Sequence, residues 1–102
     1  MTAIHNKHVL VTGGASGIGR LLALGCAKLG ATVTIWDLDA SGAGNVALEA
    51  AELGATGARA FVCDVSDREQ VYARADEVRA AAGDVDVLVN NAGIVSGRPT
   101  AS

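Results

Sequence analysis

The chain has 102 residues, half of them hydrophobic, and a formal net charge of −3 at pH 7. That suffices for one small core, and without a basic run there is no case for a nucleic-acid or anionic-membrane surface. No apolar stretch approaches the ~20 residues of a membrane span, no signal-peptide core precedes the first strand, and two cysteines, Cys26 and Cys63, are too few and too far apart for a disulfide framework or a zinc site.

Two hydrophobic periods alternate along the chain. His8–Thr12 (HVLVT) is a short run rich in β-branched residues and predicts a strand. After a glycine-rich segment, Ile18, Leu21, Leu22, Gly25 and Leu29 recur at helical spacing as an apolar stripe, and Gly30 ends the helix as a left-handed cap. Thr32–Trp36 (TVTIW) is the second strand. Ser41–Leu53 is the second helix, with Val46, Ala50 and Leu53 on one face and Gly54 as its stop. Ala58–Cys63 is the third strand. Ser66–Ala82 is the third helix: Ser66 and Glu69 read as an S-x-x-E capping box, and Val71, Ala75, Val78 and Ala82 as its buried stripe, closed by Gly83. Val85–Asn90 (VDVLVN) is the fourth strand, and the tail carries the single proline, Pro99. Strands alternating with helices of this length imply right-handed crossovers and a parallel sheet. The thiols read as reduced and mostly buried in a cytoplasmic protein. His5 and His8 have no carboxylate or cysteine partner at ligand spacing and read as surface or early-strand residues.

The stretch TGGASGIGR, residues 12–20, lies between the first strand and the first helix. A helix N-terminus offers unpaired N–H groups and a partial positive charge, so an anion such as a pyrophosphate binds there if the backbone can come close. Gly13 permits the tight turn out of the strand. Gly17 and Gly19 allow close approach of ligand to backbone and of helix to sheet, and Ser16 can donate a hydroxyl hydrogen bond to a phosphate. A glycine-rich turn without a ligand is the alternative. Asp37, at the end of the second strand, is placed to accept hydrogen bonds from both hydroxyls of an adenosine ribose. The alternative is a solvated turn residue, with Asp39 the carboxylate that matters. Arg20 reads as a surface residue.

The spacing Gly13-x-x-x-Gly17-x-Gly19 after Thr12, Asp64-Val65 after the third strand and Asn90-Asn91-Ala92-Gly93 after the fourth together resemble the short-chain dehydrogenase/reductase family over nearly the whole chain. IWDLD, CDVSDREQVY and VNNAGIVSG look most like its retinol and 17β-hydroxysteroid dehydrogenase branch. The resemblance implies a three-layer, Rossmann-type doubly wound parallel sheet, incomplete here, of β-α-β-α-β-α-β sequence and strand order 3-2-1-4. It implies a nicotinamide dinucleotide along the strand ends, with Gly13, Ser16, Gly17, Ile18 and Gly19 at the pyrophosphate. Asp37 and Leu38 would lie at the ribose, Asp64 and Val65 at the adenine, and Asn91, Ala92 and Gly93 on the ribose and pyrophosphate side. Asp64 has a second reading as a cap before the third helix, and Asn90 as a tie between strands. Members that accept the 2′-phosphate tend to carry a basic residue just before the middle glycine or just after the acidic one. Here those positions are Ser16 and Leu38, so the expected cofactor is NAD.

The family's acid/base is a Tyr-x-x-x-Lys pair, assisted by a serine and an asparagine. The one tyrosine, Tyr72, has Asp76 where the lysine would stand. By the family pattern the catalytic residues therefore lie after Ser102, and none is assigned here. The run Val87-Leu88-Val89 also reads as a strand buried on both faces and central in its sheet. Residues 1–102 are accordingly expected to be one NAD-binding unit, the N-terminal part of a domain of roughly 250 residues, inactive alone. The complete protein is expected to transfer hydride between the nicotinamide and a small alcohol or carbonyl substrate as a homo-oligomer, with no nucleic-acid or membrane partner. The competing reading is a non-catalytic NAD-binding module or sensor.

Overall fold

A computed structural model describes residues 4–91. It contains seven elements: β1 (His8–Thr12), α1 (Gly17–Lys28), β2 (Thr32–Asp37), α2 (Ala40–Leu53), β3 (Gly57–Val62), α3 (Arg68–Ala82) and β4 (Val87–Asn90). The four strands form one parallel sheet in the order β3-β2-β1-β4. This is the order expected from the sequence.

The strands alternate faces. Val9 and Val11 of β1, with Val33 and Ile35 of β2, point into a core closed by Ala23, Leu24 and Ala27 of α1 and by Ala43, Val46, Ala47 and Ala50 of α2. Leu10 and Trp36 point the other way and meet Cys63 and Val78, with Val71 and Ala75 of α3 packed alongside. Side chains of period two thus assign α1 and α2 to one face and α3 to the other. The chain turns to opposite sides on leaving β1 and on entering β4, and this reversal opens a crevice at the carboxyl ends of the strands. Each large side chain removed from water in these clusters contributes about 1.5–3 kcal/mol.

Helix ends follow their local chemistry. Beyond α1, Gly30 (φ +84°) lets its N–H reach the Ala27 carbonyl at 3.0 Å while the Ala31 N–H reaches Cys26 at 3.2 Å, which satisfies two carbonyls the helix leaves open. Gly54 (φ +119°) ends α2 the same way. At α3 the expectation needs correction. The cap is Asp67, not Ser66: its Oδ1 accepts from the N–H groups of Glu69 and Gln70, and its Oδ2 from the Gln70 amide. The charged Asp67 carboxylate takes the orphan donors, and the Ser66 hydroxyl turns back to Asp64 at 2.6 Å.

Two burial expectations also change. The α1 stripe Ile18, Leu21, Leu22 and Leu29 is exposed; small Ala23 and Ala27 seat the helix on the sheet instead, because alanines allow the closer approach. Leu53 of α2 is exposed, since it is the last helical residue. Among the described residues β4 pairs with β1 alone, and Val87 and Leu88 are exposed there; the reading of this run as a central strand concerns the larger domain. His8 opens β1, which bears out its early-strand reading rather than its surface one. Its side chain is buried, with Nε2 2.7 Å from Thr34 Oγ1 and Nδ1 3.3 and 3.2 Å from the carbonyls of Gly83 and Asp84. Carbonyls only accept, so in these contacts Nδ1 is the donor.

Candidate functional site

The glycine-rich segment is shaped by two different requirements. Gly13 (φ +67°) and Gly17 (φ +58°) sit in the left-handed region, which costs other residues about 1–2 kcal/mol. Gly19 instead needs room: a Cβ there would overlap the Gly13 carbonyl oxygen and lie 2.7 Å from Asn91 Nδ2. Helix α1 is thereby pressed against the end of β1. Nothing stands within 4 Å of where a Gly17 Cβ would be, so the backbone of this first turn is open on its outer side.

Ser16 is the N-cap of α1 but its side chain makes no capping hydrogen bond, and no acidic residue lies in the first turn. The first intrahelical bond runs from Arg20 N–H to Ser16 O at 3.2 Å. The N–H groups at 17, 18 and 19 precede it and have no intrahelical partner. Three amides without intrahelical partners, a hydroxyl that makes no capping bond and the positive end of the helix dipole thus share one turn with no built-in anion, and a helix N-terminus of this kind can hold a phosphate group.

Beside it lies a cleft of about 240 Å³ lined by Gly13, Trp36, Asp37, Leu38, Cys63, Asp64, Val65 and Ser66. Five of the residues singled out in the sequence (Gly13, Asp37, Leu38, Asp64 and Val65) meet in its wall, drawn from the ends of β1, β2 and β3. The Asp37 carboxylate is held from two sides. Its Oδ2 accepts from the Ala15 N–H at 3.0 Å and its Oδ1 from the Asp39 N–H at 2.9 Å. A carboxylate oxygen has two lone pairs, so each oxygen keeps one for a ligand hydroxyl. Asp39 does not line this cleft; it caps α2 by accepting from Gly42 N–H at 3.0 Å. Asp64 Oδ1 accepts from both the hydroxyl and the N–H of Ser66, and these bonds, the hydroxyl's first, hold the carboxyl below its ordinary value. The cap reading and the cleft reading of Asp64 are therefore compatible. Burial pushes the Cys63 thiol up, so it stays protonated at neutral pH and serves as wall.

Asn90 and Asn91 tie the floor together. Asn90 Oδ1 accepts from the Thr12 hydroxyl at 3.2 Å, and Asn91 Nδ2 donates to the Gly13 carbonyl at 3.2 Å. Arg20 is a surface residue paired with Glu49 at 2.7 Å, joining α1 to α2. The Ile18 side chain is exposed, and only its amide belongs to the anion site. Ala92 and Gly93 lie outside the described residues. Sequence reasoning did not single out the Ala15 amide or the cleft-lining roles of Trp36, Cys63 and Ser66. Trp36 and Cys63 could have been inferred from their places at the ends of the second and third strands. Among the described residues there is no group of three or more His, Cys, Asp or Glu side chains able to hold a metal ion, and no helix long and apolar enough to cross a membrane.

A wall with two carboxylates, a helix N-terminus without a side-chain cap and a crevice at a strand-order reversal stand together here, and the comparisons with known proteins agree with the fold. Residues 7–102 match the family model described as short chain dehydrogenase. The chain is 49% identical over 90 residues to epidermal retinol dehydrogenase 2 of Homo sapiens, a stretch that is 88% of this chain and 29% of that protein. Among solved structures, hydroxysteroid dehydrogenase from Escherichia coli superposes with a TM-score of 0.82 at 38% identity, covering 88% of this chain and 36% of that one. The NADP active-site complex of RhlG from Pseudomonas aeruginosa superposes with a TM-score of 0.78 at 31% identity, covering 86% and 35%. The chain thus spans about a third of the proteins it resembles, and it belongs to the short-chain dehydrogenase family.

Proposed function

We propose that the complete protein is an NAD-dependent oxidoreductase acting on an alcohol or carbonyl substrate, and that these 102 residues are its nucleotide-binding part. One observation carries the reading: Gly13, at the head of the glycine-rich segment that opens α1, and the doubly held Asp37 carboxylate line the same cleft, and the Ala15 N–H of that segment is one of the two donors that hold Asp37. The nicotinamide, when bound, supplies or accepts the hydride. The residues of this chain bind and orient. The amides at 17–19 and the Ser16 hydroxyl take the diphosphate, Asp37 takes the ribose hydroxyls, and Asp64 with Val65 borders the adenine. Asn91, with Ala92 and Gly93 beyond it, follows the ribose and pyrophosphate.

The preference for NAD rests on charge. A 2′-phosphate beside Asp37 would meet a like charge and forfeit a hydroxyl donor, and neither Ser16 nor Leu38 offers it a cation. The solved RhlG neighbour holds NADP, and the NAD reading of this chain rests on Asp37, Ser16 and Leu38 rather than on the fold it shares with that neighbour. Retinol- or steroid-like alcohols are the proposed substrate class, after the names of the relatives. The proton-transferring tyrosine and lysine are proposed to follow Ser102. The exposed leucines of α1 and the bare edge of β4 are surfaces for further elements of the same domain.

The test is made on the complete protein. Tighter binding of NAD than of NADP, with NADH formation from a retinoid or steroid alcohol, supports the proposal. Binding of NAD without turnover of any alcohol or carbonyl would favour a non-catalytic module, and equal affinity for both dinucleotides would remove the role given to Asp37.

A further inference from the structure

The ribose-side carboxylate is held by a chain of contacts that ends in a residue outside the cleft. Asp37 Oδ2 accepts from Ala15 N–H, Asp37 Oδ1 accepts from Asp39 N–H, and Asp39 Oδ1 in turn accepts from Gly42 N–H in the first turn of α2. Gly42 has an ordinary helical backbone, so its φ does not call for glycine. Space does. A Cβ on Gly42 would overlap Asp39 Oδ2, lie 2.9 Å from Asp39 Cγ and stand 3.2 Å from the Ala15 Cβ. The volume a side chain would fill is shared by the two residues whose N–H groups hold Asp37. Gly44, two residues further along the same helix, has nothing within 4 Å of its Cβ position.

We propose that Gly42 is a positioning residue for cofactor selectivity: its missing side chain lets the glycine-rich segment and the α2 cap close on Asp37 together and fix the carboxylate that distinguishes a ribose hydroxyl from a 2′-phosphate. The inference rests on the NAD reading above and extends it to a residue that touches no part of the cleft. A methyl group at 42 turns the Asp39 carboxylate aside, which breaks its bond to the Gly42 N–H, and presses the Ala15 Cβ back by a few tenths of an ångström. Both residues whose N–H groups orient Asp37 thus lose a contact that fixes their place. The diphosphate donors at 17–19 lie beyond Ala15 on α1, so the cost falls on the ribose contact. Alanine favours a helix more than glycine does, so a purely structural role for Gly42 predicts a gain in stability and no change in selectivity.

The experiment is a double-mutant cycle on the complete protein, with NAD and NADP affinities measured by calorimetry for wild type, Gly42→Ala, Gly44→Ala, Asp37→Ala and the Asp37→Ala/Gly42→Ala pair. Gly42→Ala is expected to weaken NAD about tenfold, the equivalent of one charge-assisted hydrogen bond, and NADP much less, with Gly44→Ala matching wild type. In the Asp37→Ala background the Gly42 substitution should no longer change NAD affinity. A Gly42→Ala protein with wild-type NAD affinity, an equal loss for NAD and NADP, or a loss that persists without Asp37 would overturn the positioning role while leaving the NAD reading intact. Wild-type protein that shows no preference for NAD overturns that reading, and the positioning role with it.

Discussion

Replacing Asp37 with alanine should change both cofactor affinity and local order, by amounts the structure separates. Two hydrogen bonds from ribose hydroxyls to a charged acceptor are worth about 1.5–3 kcal/mol each. Water recovers part of that in the variant, and each 1.4 kcal/mol is tenfold in affinity. NAD should therefore bind about 10- to 100-fold more weakly, while NADP, relieved of a like charge, should lose less or gain. The same change strips the acceptor from two backbone donors. The Asp39 N–H is exposed and turns to water, but the Ala15 N–H is part-buried, so stability should fall by about 1–2 kcal/mol. Calorimetric titration of the complete protein with each dinucleotide measures the first effect and thermal unfolding the second. An NAD/NADP affinity ratio unchanged by Asp37→Ala would refute the reasoning, whatever happens to the melting temperature.

Other substitutions probe the frame around the cleft. Gly19→Ala places a Cβ against the Gly13 carbonyl and the Asn91 amide; it should lower stability by about 1–3 kcal/mol and weaken both dinucleotides alike in the same titration. Asp67→Ala removes the α3 cap and should cost about 1 kcal/mol in denaturant unfolding, whereas Ser66→Ala should cost markedly less. Ser66→Ala should instead release Asp64, whose carboxyl is held down by the Ser66 bonds, and NMR titration should find its pKa risen toward 3.8. The sign follows from linkage: a carboxyl depressed in the folded state stabilises above its unfolded pKa and loses that contribution as pH falls through the folded value. The wild-type protein should therefore lose more stability than Ser66→Ala on acidification below about pH 4.

Most of the frame was legible because it rests on short-range rules. The apolar runs at Val9–Val11 and Val33–Ile35, separated by a helix-length segment and stopped by Gly30 and Gly54, leave few topologies open. The glycine spacing and the strand-end position of Asp37 pointed to Gly13 and Asp37 of the cleft, and the family resemblance supplied Leu38, Asp64 and Val65. What the sequence hid depends on neighbours distant in the chain. The Ser66-x-x-Glu69 pattern and Asp67 compete for the same amides, and only the approach angle of the chain decides between them. A helical stripe shows which residues share a face but not how near the sheet lies, so the leucines of α1 outranked the alanines that make the contact. His8 looked unpartnered because Thr34, Gly83 and Asp84, which enclose it, are far along the chain. The cleft-wall role of the Ala15 amide belongs to the backbone, which side-chain patterns do not report.

The central claim is that a dinucleotide rests its diphosphate on the first turn of α1 and its ribose on Asp37. Its most direct test is an NMR titration of the isotope-labelled complete protein with NAD, following backbone amides. The account predicts the largest shifts at Gly17, Ile18 and Gly19, with a second group at Ala15, Asp37 and Leu38. Saturable NAD binding that leaves those amides unmoved, or moves a different surface, would contradict it.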